Sequence, residues 1–426
     1  MPDLRSTYIP GAPLCQAGHF DGPLSWWNHG LPCGGVERQI VAGAQYFQTK
    51  GRPVRLLCYN LEPRYGNAFF LPQTRTYCSA VQAFSLDQVD LTRLGALRAM
   101  VSGILQGCSP ELRDTIACLA LWFAHLRPRL LQIWNGDNIA ALLAAVIAGV
   151  PRIVLACRSL SPARRSPYGF EGVNATLAHV LLSHLLRLPG IYLTNNSRAG
   201  CRDYEAWLDL PSGTITHTPN VFDLAQWPRP DASRTALLRR RLGLPNHARV
   251  LGGLFRFLSI KDPELWVCTA LRACAAHPGL YAVVGGGGPE RHALKQSIAQ
   301  SPFADRVLFP GTIKDVSAFL ALCDVFLHTA HVEGLPNVVL EAQACQVPVV
   351  STLCGGVADI VVHGQTGFVV DEREEQVLVR YVGHILSHPE FAAQAGRRAR
   401  THVAQTFAPD IVMPVLEQLY ARLLQN

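Results

Sequence analysis

Glu333-Gly334-Leu335-Pro336-Asn337-Val338-Val339-Leu340-Glu341 places two carboxylates eight residues apart around a Gly/Pro turn. The preceding run Val325–His328 has strand character, so Glu333 falls in the loop after a strand. Glu341 falls in the first turns of a helix that follows Asn337. In an open α/β sheet, ligands bind beyond the carboxyl ends of the strands, and a helix N-terminus there offers free amides to a phosphate. On that reading Glu341 accepts hydrogen bonds from ribose hydroxyls and Glu333 from a sugar. The alternative is a loop acid with no ligand and a first-turn Glu favoured by the helix dipole. The spacing alone leaves both open.

Outward from this segment, strands and helices alternate. Val250–Phe255, Leu280–Val284, Arg306–Phe309 and Val347–Thr352 read as further strands with helices between them. Toward the N-terminus the same alternation recurs. Ile40, Val41, Ala44 and Phe47 share a helical face, followed by strands at Val54–Cys58, Leu130–Trp134, Arg152–Cys157, Gly190–Thr194 and Thr214–Thr218, with helices at Asn138–Ala148 and through Ala178–Leu186. Pro219, Pro228 and Pro230 bracket a polar join, after which Asp231–Leu242 reads as a basic helix. Two doubly wound α/β units meeting near residues 219–230 are expected. Val412, Val415, Leu416, Leu419, Tyr420 and Leu423 predict an amphipathic C-terminal helix over Ile411–Leu424. Residues 60–115 are weakly patterned, apart from a helix over Thr92–Leu105 whose Leu94, Leu97, Met100, Val101 and Leu105 serve either core packing or a membrane or acceptor contact.

Composition sets the boundaries. At 426 residues, and roughly 150 per domain, two to three domains are expected. With 49% hydrophobic and 16% charged residues, extended disorder is excluded. A formal charge of +7 lacks the dense basic stripe of a nucleic-acid binder. Residues 1–230 carry net +6 and residues 231–426 net +1. Only four lysines occur (Lys50, Lys261, Lys295, Lys314) among 38 basic residues. The thirteen cysteines, from Cys15 to Cys354, include no Cys-x-x-Cys pair and read as reduced apolar fillers. Met1–Gln16 has no apolar signal-type region, and the longest apolar run, Ile139–Val150, is shorter than the roughly 20 residues that span a bilayer. A cytoplasmic chain is expected.

The motif Glu333 to Glu341 resembles the E-x7-E signature of retaining glycosyltransferases of family 4, which have the GT-B fold. Phe309-Pro-Gly311-Thr312, Cys323-Asp324, Pro348–Thr352, Gly355-Gly356, Asp359 and Gly364–Val370 follow in that family's order. Similar segments cover roughly residues 33–58 and 130–424. The resemblance implies two Rossmann-like lobes facing across a cleft: 1–222 on the acceptor side, 223–410 binding a nucleotide sugar, and 411–426 as a helix returning to the first lobe. Gly253-Leu-Phe-Arg256 and Lys261-Asp262-Pro263 resemble the family's strand-end Arg and loop Lys. Two cations there stabilise a departing diphosphate without a metal. Gly285–Pro289, with Gly286, resembles the glycine loop, where a missing Cβ permits close approach. Cys33-Gly34-Gly35-Val36-Glu37-Arg38 resembles the Gly-Gly loop facing the donor phosphates.

The implied assignments are therefore Arg256 and Lys261 on the diphosphate, Glu341 on ribose, Glu333 on the donor sugar, and the backbone near Ile313–Val316 on the base. Gly34, Gly35, Gly286, Gly334, Leu335, Pro336 and Asn337 complete the donor site. Where many relatives carry a His pair after the strand at Leu130–Trp134, this chain has Asn135-Gly136-Asp137. Asp137 replaces that His as a partner of sugar or acceptor, or caps the next helix. His29 is a donor contact or a surface side chain. Asn195–Arg198 and Pro219–Asp223 match further family positions, the second marking the linker. Arg158, Arg164, Arg165 and Arg187 form either a solvated face or a contact to an anionic acceptor or membrane surface.

The resemblance implies transfer of a sugar, with a UDP-sugar as the default donor, to a lipid-linked saccharide or polysaccharide. No cofactor or metal and no nucleic-acid partner is expected. A peripheral position on the inner face of the membrane would suit the basic first half. A nucleotide-sugar epimerase and a noncatalytic nucleotide-binding scaffold are the competing readings. A dehydrogenase is disfavoured, because no G-x-G-x-x-G turn with a later acid is present.

Overall fold

The computed structural model describes residues 24–87, 89–168, 175–227 and 230–425. The lead Met1–Gly22, Cys15 and Pro228 lie outside them. The first sheet contains β1 (Ser25–Asn28), β2 (Arg55–Cys58), β3 (Ala80–Ala83), β4 (Leu131–Trp134), β5 (Ile153–Cys157), β6 (Ile191–Asn195) and β7 (Thr216–His217), in the order β3-β2-β1-β4-β5-β6-β7. The second contains β8 (Arg249–Leu254), β9 (Leu280–Gly285), β10 (Val307–Gly311), β11 (Val325–His328), β12 (Val349–Thr352) and β13 (Gly367–Val370), in the order β10-β9-β8-β11-β12-β13.

Pairing is parallel throughout both sheets. Parallel strands need crossovers, and the crossover helices cover both faces. That is why a central strand such as β5 is buried at all five positions and reads as continuous apolar sequence. These two parallel α/β lobes are the GT-B architecture expected from the sequence. In each sheet the strand order reverses once, between β1 and β4 and between β8 and β11. Ligand sites in such sheets form at these reversals.

Before Gly34, the short stretch Ser25–Asn28, whose only large apolar residues are two tryptophans, is a central strand. All four residues of β1 are buried, and Trp26 and Trp27 project to opposite faces. Trp26 meets Phe47 and Trp134 edge-on; Trp27 meets Trp122 and Phe123. Two indoles supply the covered area that a longer aliphatic run supplies elsewhere. Residues 60–115 add the edge strand β3 and the start of the helix Pro110–Leu126, neither evident from patterning. The expected helix over Thr92–Leu105 forms as Leu94–Ile104; Leu97, Val101 and Leu105 are core residues, whereas Met100 is 38% exposed.

The final helix, Pro409–Gln425, buries Val412, Met413, Leu416, Leu419, Tyr420 and Leu423 against the first lobe. Val415, expected on that face, is exposed. The Tyr420 hydroxyl donates to Gln132 Oε1 at 2.5 Å and accepts from Trp26 Nε1 at 3.0 Å. The C-terminal helix therefore packs back on the first lobe. Among the described residues the cysteines are free thiols, and no helix is long and apolar enough to cross a membrane.

Candidate active site

The second lobe brings two loops together at its strand reversal. After β8 the chain exposes Arg256, then makes a short 3-10 turn, Ser259–Lys261. Asp262, at φ 47°, caps the helix Pro263–Ala276 by accepting from the Leu265 amide at 3.1 Å. After β11 the chain runs from His328 to Glu333. Lys261 Nζ lies 2.5 Å from Glu333 Oε1, and His328 Nε2 lies 3.3 Å from the same oxygen. Burial pushes the Glu333 carboxyl up, but the Lys261 charge and the His328 contacts outweigh it and bring it down to about 2. Glu333 is therefore a fixed anion at neutral pH. Its loop is backed by the Gly355-Gly356 turn. A Cβ on Gly355, at φ 48°, would sit 2.1 Å from the Glu333 carbonyl oxygen, and the Gly356 amide donates to the Gly334 carbonyl at 2.6 Å.

The first lobe meets this loop at its own reversal. Gly34 and Gly35 open the helix Gly35–Thr49. Both lie close to side-chain ends: a Cβ on Gly34 would stand 2.3 Å from Glu37 Oε2, and one on Gly35 2.6 Å from Asn337 Nδ2, so either substitution would displace those groups. Asn337, the first residue of the helix Asn337–Ala344, donates to the Gly35 carbonyl at 3.3 Å. Gly334 abuts the Arg158 carbonyl, where a Cβ would come within 2.2 Å. Glu37 is buried, accepts from Asn28 Nδ2 at 2.9 Å, and feels the charge of Arg256 from the opposite lobe. Asn220, in the linker, donates to the Leu335 carbonyl at 2.9 Å and to Asn337 Oδ1 at 2.6 Å, while its own Oδ1 accepts from Arg158 and Asn196.

Glu341 is buried and ion-paired with Arg38 of the first lobe. Burial pushes its carboxyl up, against the pull of Arg38. A raised folded-state value contributes stability only below the unfolded value, and that contribution is lost as pH rises through the folded one. At neutral pH the charge at Glu341 is therefore a cost. Glu341→Gln is expected to melt at or above the parent temperature at pH 7, since Arg38 is 37% exposed and loses its partner into solvent. A midpoint several degrees lower in calorimetry would contradict this.

Among the remaining expected site residues, Gly286 has φ 127°, and its amide donates to the Gly311 carbonyl at 2.8 Å. Ile313 packs over Gly285, and Val316 opens the helix Val316–Leu322, capped by Asp315 through the Ala318 amide at 3.1 Å. Leu335 is buried and Pro336 precedes the helix Asn337–Ala344. Asp137 stands at the end of β4 with both carboxylate oxygens held by Arg165, at 2.7 and 2.5 Å. It does not cap the next helix: the cap position is Asn138, which makes no side-chain cap bond. His29 is exposed and stacks on Tyr59.

The fold thus gathers Gly34, Gly35, Lys261, Glu333, Gly334, Asn337 and Glu341 at the two facing reversals, with Arg256 near enough for Glu37 to feel its charge. Asp137 is committed to an ion pair within the first lobe. Sequence reading gave no role of their own to His328, Glu37, Arg38 or Asn220, although the last three fall within the Gly-Gly and linker motifs. Only a polar residue ending an apolar strand marks His328; the others depend on contacts across the cleft. Among the described residues, no cluster of three His, Cys, Asp or Glu side chains could hold a metal ion.

The family described as Glycosyl transferases group 1 matches residues 238–402, which include both carboxylates, Arg256's neighbourhood and Lys261. The chain is 29% identical over 381 residues to the Vi polysaccharide biosynthesis protein VipC/TviE of Salmonella typhi, covering 83% of this chain and 63% of that protein. It thus spans less than two thirds of that relative's length. It is 32% identical over 282 residues to a GDP-mannose-dependent alpha-(1-6)-phosphatidylinositol monomannoside mannosyltransferase of Mycobacterium tuberculosis, covering 64% of this chain and 70% of that protein. Its fold is similar to that of Anabaena Alr3699/HepE, whose crystal structure contains UDP and glucose, with a TM-score of 0.73 at 20% identity over 94% of this chain and 100% of that one. With the paired lobes, the facing reversals and these likenesses in place, the chain belongs to the group 1 glycosyltransferases.

Proposed function

We propose that the protein is a hexosyltransferase of glycosyltransferase family 4. It moves a sugar from a UDP-sugar to a hydroxyl of a polysaccharide or lipid-linked saccharide, with retention of anomeric configuration. The observation that carries this reading is the Lys261–Glu333 pair, in a segment whose Asn337 meets Gly35 of the first lobe. Arg256 and Lys261 neutralise the departing diphosphate. The backbone from Ile313 to Val316 receives the base, Glu341 the ribose, and Gly34, Gly35 and Gly286 allow close approach of the phosphates. Gly334, Leu335, Pro336 and Asn337 shape the loop beneath the sugar.

A carboxyl brought down to about 2 is a weak base and carries no proton to give. Glu333 therefore orients the donor sugar through its charge and its unshared oxygen, and the departing phosphate takes the proton of the incoming hydroxyl on the same face. Asp137, fixed by Arg165, stands on the acceptor side. In this reading residues 1–222 present the acceptor and residues 223–410 hold the donor, with 411–426 returning to the first lobe. The relatives named for a polysaccharide and for a lipid glycoside support that acceptor class. Neither a cofactor nor a metal enters the chemistry. The net +6 of residues 1–230 supports a cytoplasmic protein resting on an anionic membrane face. Family membership does not favour an epimerase or a scaffold without turnover.

Thermal shifts with UDP-, GDP-, ADP- and dTDP-sugars test the donor, because a ligand of the folded state raises the midpoint by mass action. The UDP-sugar is expected to stabilise far above the others. A GDP-sugar response would overturn the base assignment alone, and no response to any would overturn donor binding. Product analysis by NMR then reads the anomeric configuration; an inverted product would remove the retaining mechanism.

A further inference from the structure

A cavity of about 20 Å³ lies where the first sheet, the linker and the C-terminal helix meet. Its polar lining is Gln39, Gln132, Trp134, Arg158 and Thr218, and no carboxylate lines it. Arg158 is the unusual member. Its guanidinium donates to Asn220 Oδ1 and stacks on the Trp134 ring at 5.2 Å, yet no acid among the described residues pairs with it. Burial pulls it down to about 9, opposed only by the neighbouring Cys157 and by no carboxylate. Arg158 is half-buried, and a partly desolvated cation without a counter-charge is costly, so such groups are normally paired.

The other lining groups present hydrogen-bond donors. Trp134 is 4% exposed, and its Nε1 has no hydrogen-bond partner. Gln132 has its carbonyl oxygen engaged by the Tyr420 hydroxyl, which in turn accepts from Trp26; that chain of donors leaves the amide nitrogen for the cavity. Gln39 exchanges both of its bonds with the Val221 backbone, so its carbonyl oxygen is already taken. Apart from the Thr218 hydroxyl, which can donate or accept, the polar lining offers guanidinium, indole N–H and amide N–H groups. That excess of donors suits an acceptor-only ligand better than water, which must also donate. The volume admits a particle about the size of a water molecule. Carboxylates and tetrahedral oxyanions are larger than that.

We propose that this cavity is a binding site for one monatomic anion of the halide class, chloride being the natural occupant. The ion would neutralise Arg158 and join three parts of the chain: the ends of β4 and β5, the linker at Thr218, and the returning helix. Arg158 also holds Asn220, whose amide reaches Leu335 and Asn337. Anion binding therefore stiffens the contact between the lobes beside the Glu333 loop. The inference does not depend on the donor or acceptor assigned above.

Thermal unfolding of the whole protein in sodium chloride against sodium gluconate, at equal ionic strength, reads the site without any variant. A saturable rise of about 2–4 °C in chloride is expected, reproduced by bromide. Arg158→Met and Trp134→Phe should each abolish the rise, the second remaining informative if the first folds poorly. Crystals grown in bromide should show an anomalous peak beside Arg158. Equal midpoints in chloride and gluconate, an undiminished response in a folded variant, or water alone at that position would each overturn the site.

Discussion

Glu333→Gln is expected to lower sugar transfer by about 10²-fold or more while changing UDP affinity only a few-fold. The amide keeps the shape of the side chain but removes the anion that Lys261 and His328 hold. In the proposed mechanism that charge faces the transferring sugar, where positive character develops as its bond to phosphate breaks. Fixed charges aimed at a developing charge in a dry site typically contribute at this scale. In that proposal the nucleotide is held by Arg256, Lys261, Glu341 and the backbone of the second lobe, none of which is replaced, so the affinity in calorimetric titration with UDP should change only a few-fold. Transfer within about threefold of the parent would remove Glu333 from the reaction.

The same variant tests the electrostatics. The Glu333 carboxyl lies near 2, below its ordinary value of 4.5. A lowered folded-state value gives stability that is fully present above the unfolded value and is lost as pH falls through the folded one. The parent should therefore lose this contribution between about pH 4.5 and 2, and Glu333→Gln should show a shallower acid limb in denaturant titrations. Glu341 has the opposite sign, since burial dominates its environment. Eight residues apart in one motif, the two carboxylates are thus held in contrasting states.

Gly286→Ala is expected to cost about 3 kcal/mol or more and to weaken UDP binding by at least tenfold. At φ 127° an L side chain is strained, and the new Cβ would stand 1.8 Å from the Phe255 carbonyl oxygen and 2.9 Å from its carbon. Neither backbone can withdraw easily. Gly286 donates to the Gly311 carbonyl, while the amides of Phe255 and Phe257 donate to the carbonyls of Gly285 and Gly287. The strain must therefore either break these bonds or displace the loop that carries Arg256. Gly287→Ala is the matched control, because its Cβ would meet nothing within 4 Å. A denaturation midpoint for Gly286→Ala equal to that of the control would refute the argument.

Local patterning was sufficient for much of the architecture. β5 and β11 are short apolar runs because parallel strands are covered on both faces. Their bounds were legible to within a residue or so. β1 was obscure for the converse reason: Trp26 and Trp27 achieve full burial in four residues, where a pattern search expects a longer aliphatic run. The edge strand β3, half-buried to exposed over Ala80–Ala83, presents little hydrophobic contrast to read.

The site divides along the same line. Glu333, Glu341, Lys261 and the glycines stand at strand ends and helix starts, positions that the alternation of elements marks in the chain itself. Their partners do not. Arg38 meets Glu341 across 303 residues, Lys261 meets Glu333 across 72, and Asn220 joins Arg158, Leu335 and Asn337 only because the linker brings two lobes together. The commitment of Asp137 to Arg165, the opposite shifts of Glu333 and Glu341, and the uncompensated charge of Arg158 arise from burial and from neighbours distant in sequence. Strand and helix boundaries follow from short-range sterics and from the period of apolar residues. Charge states depend on which groups share a desolvated space, and that is set only when the two sheets and the returning helix pack.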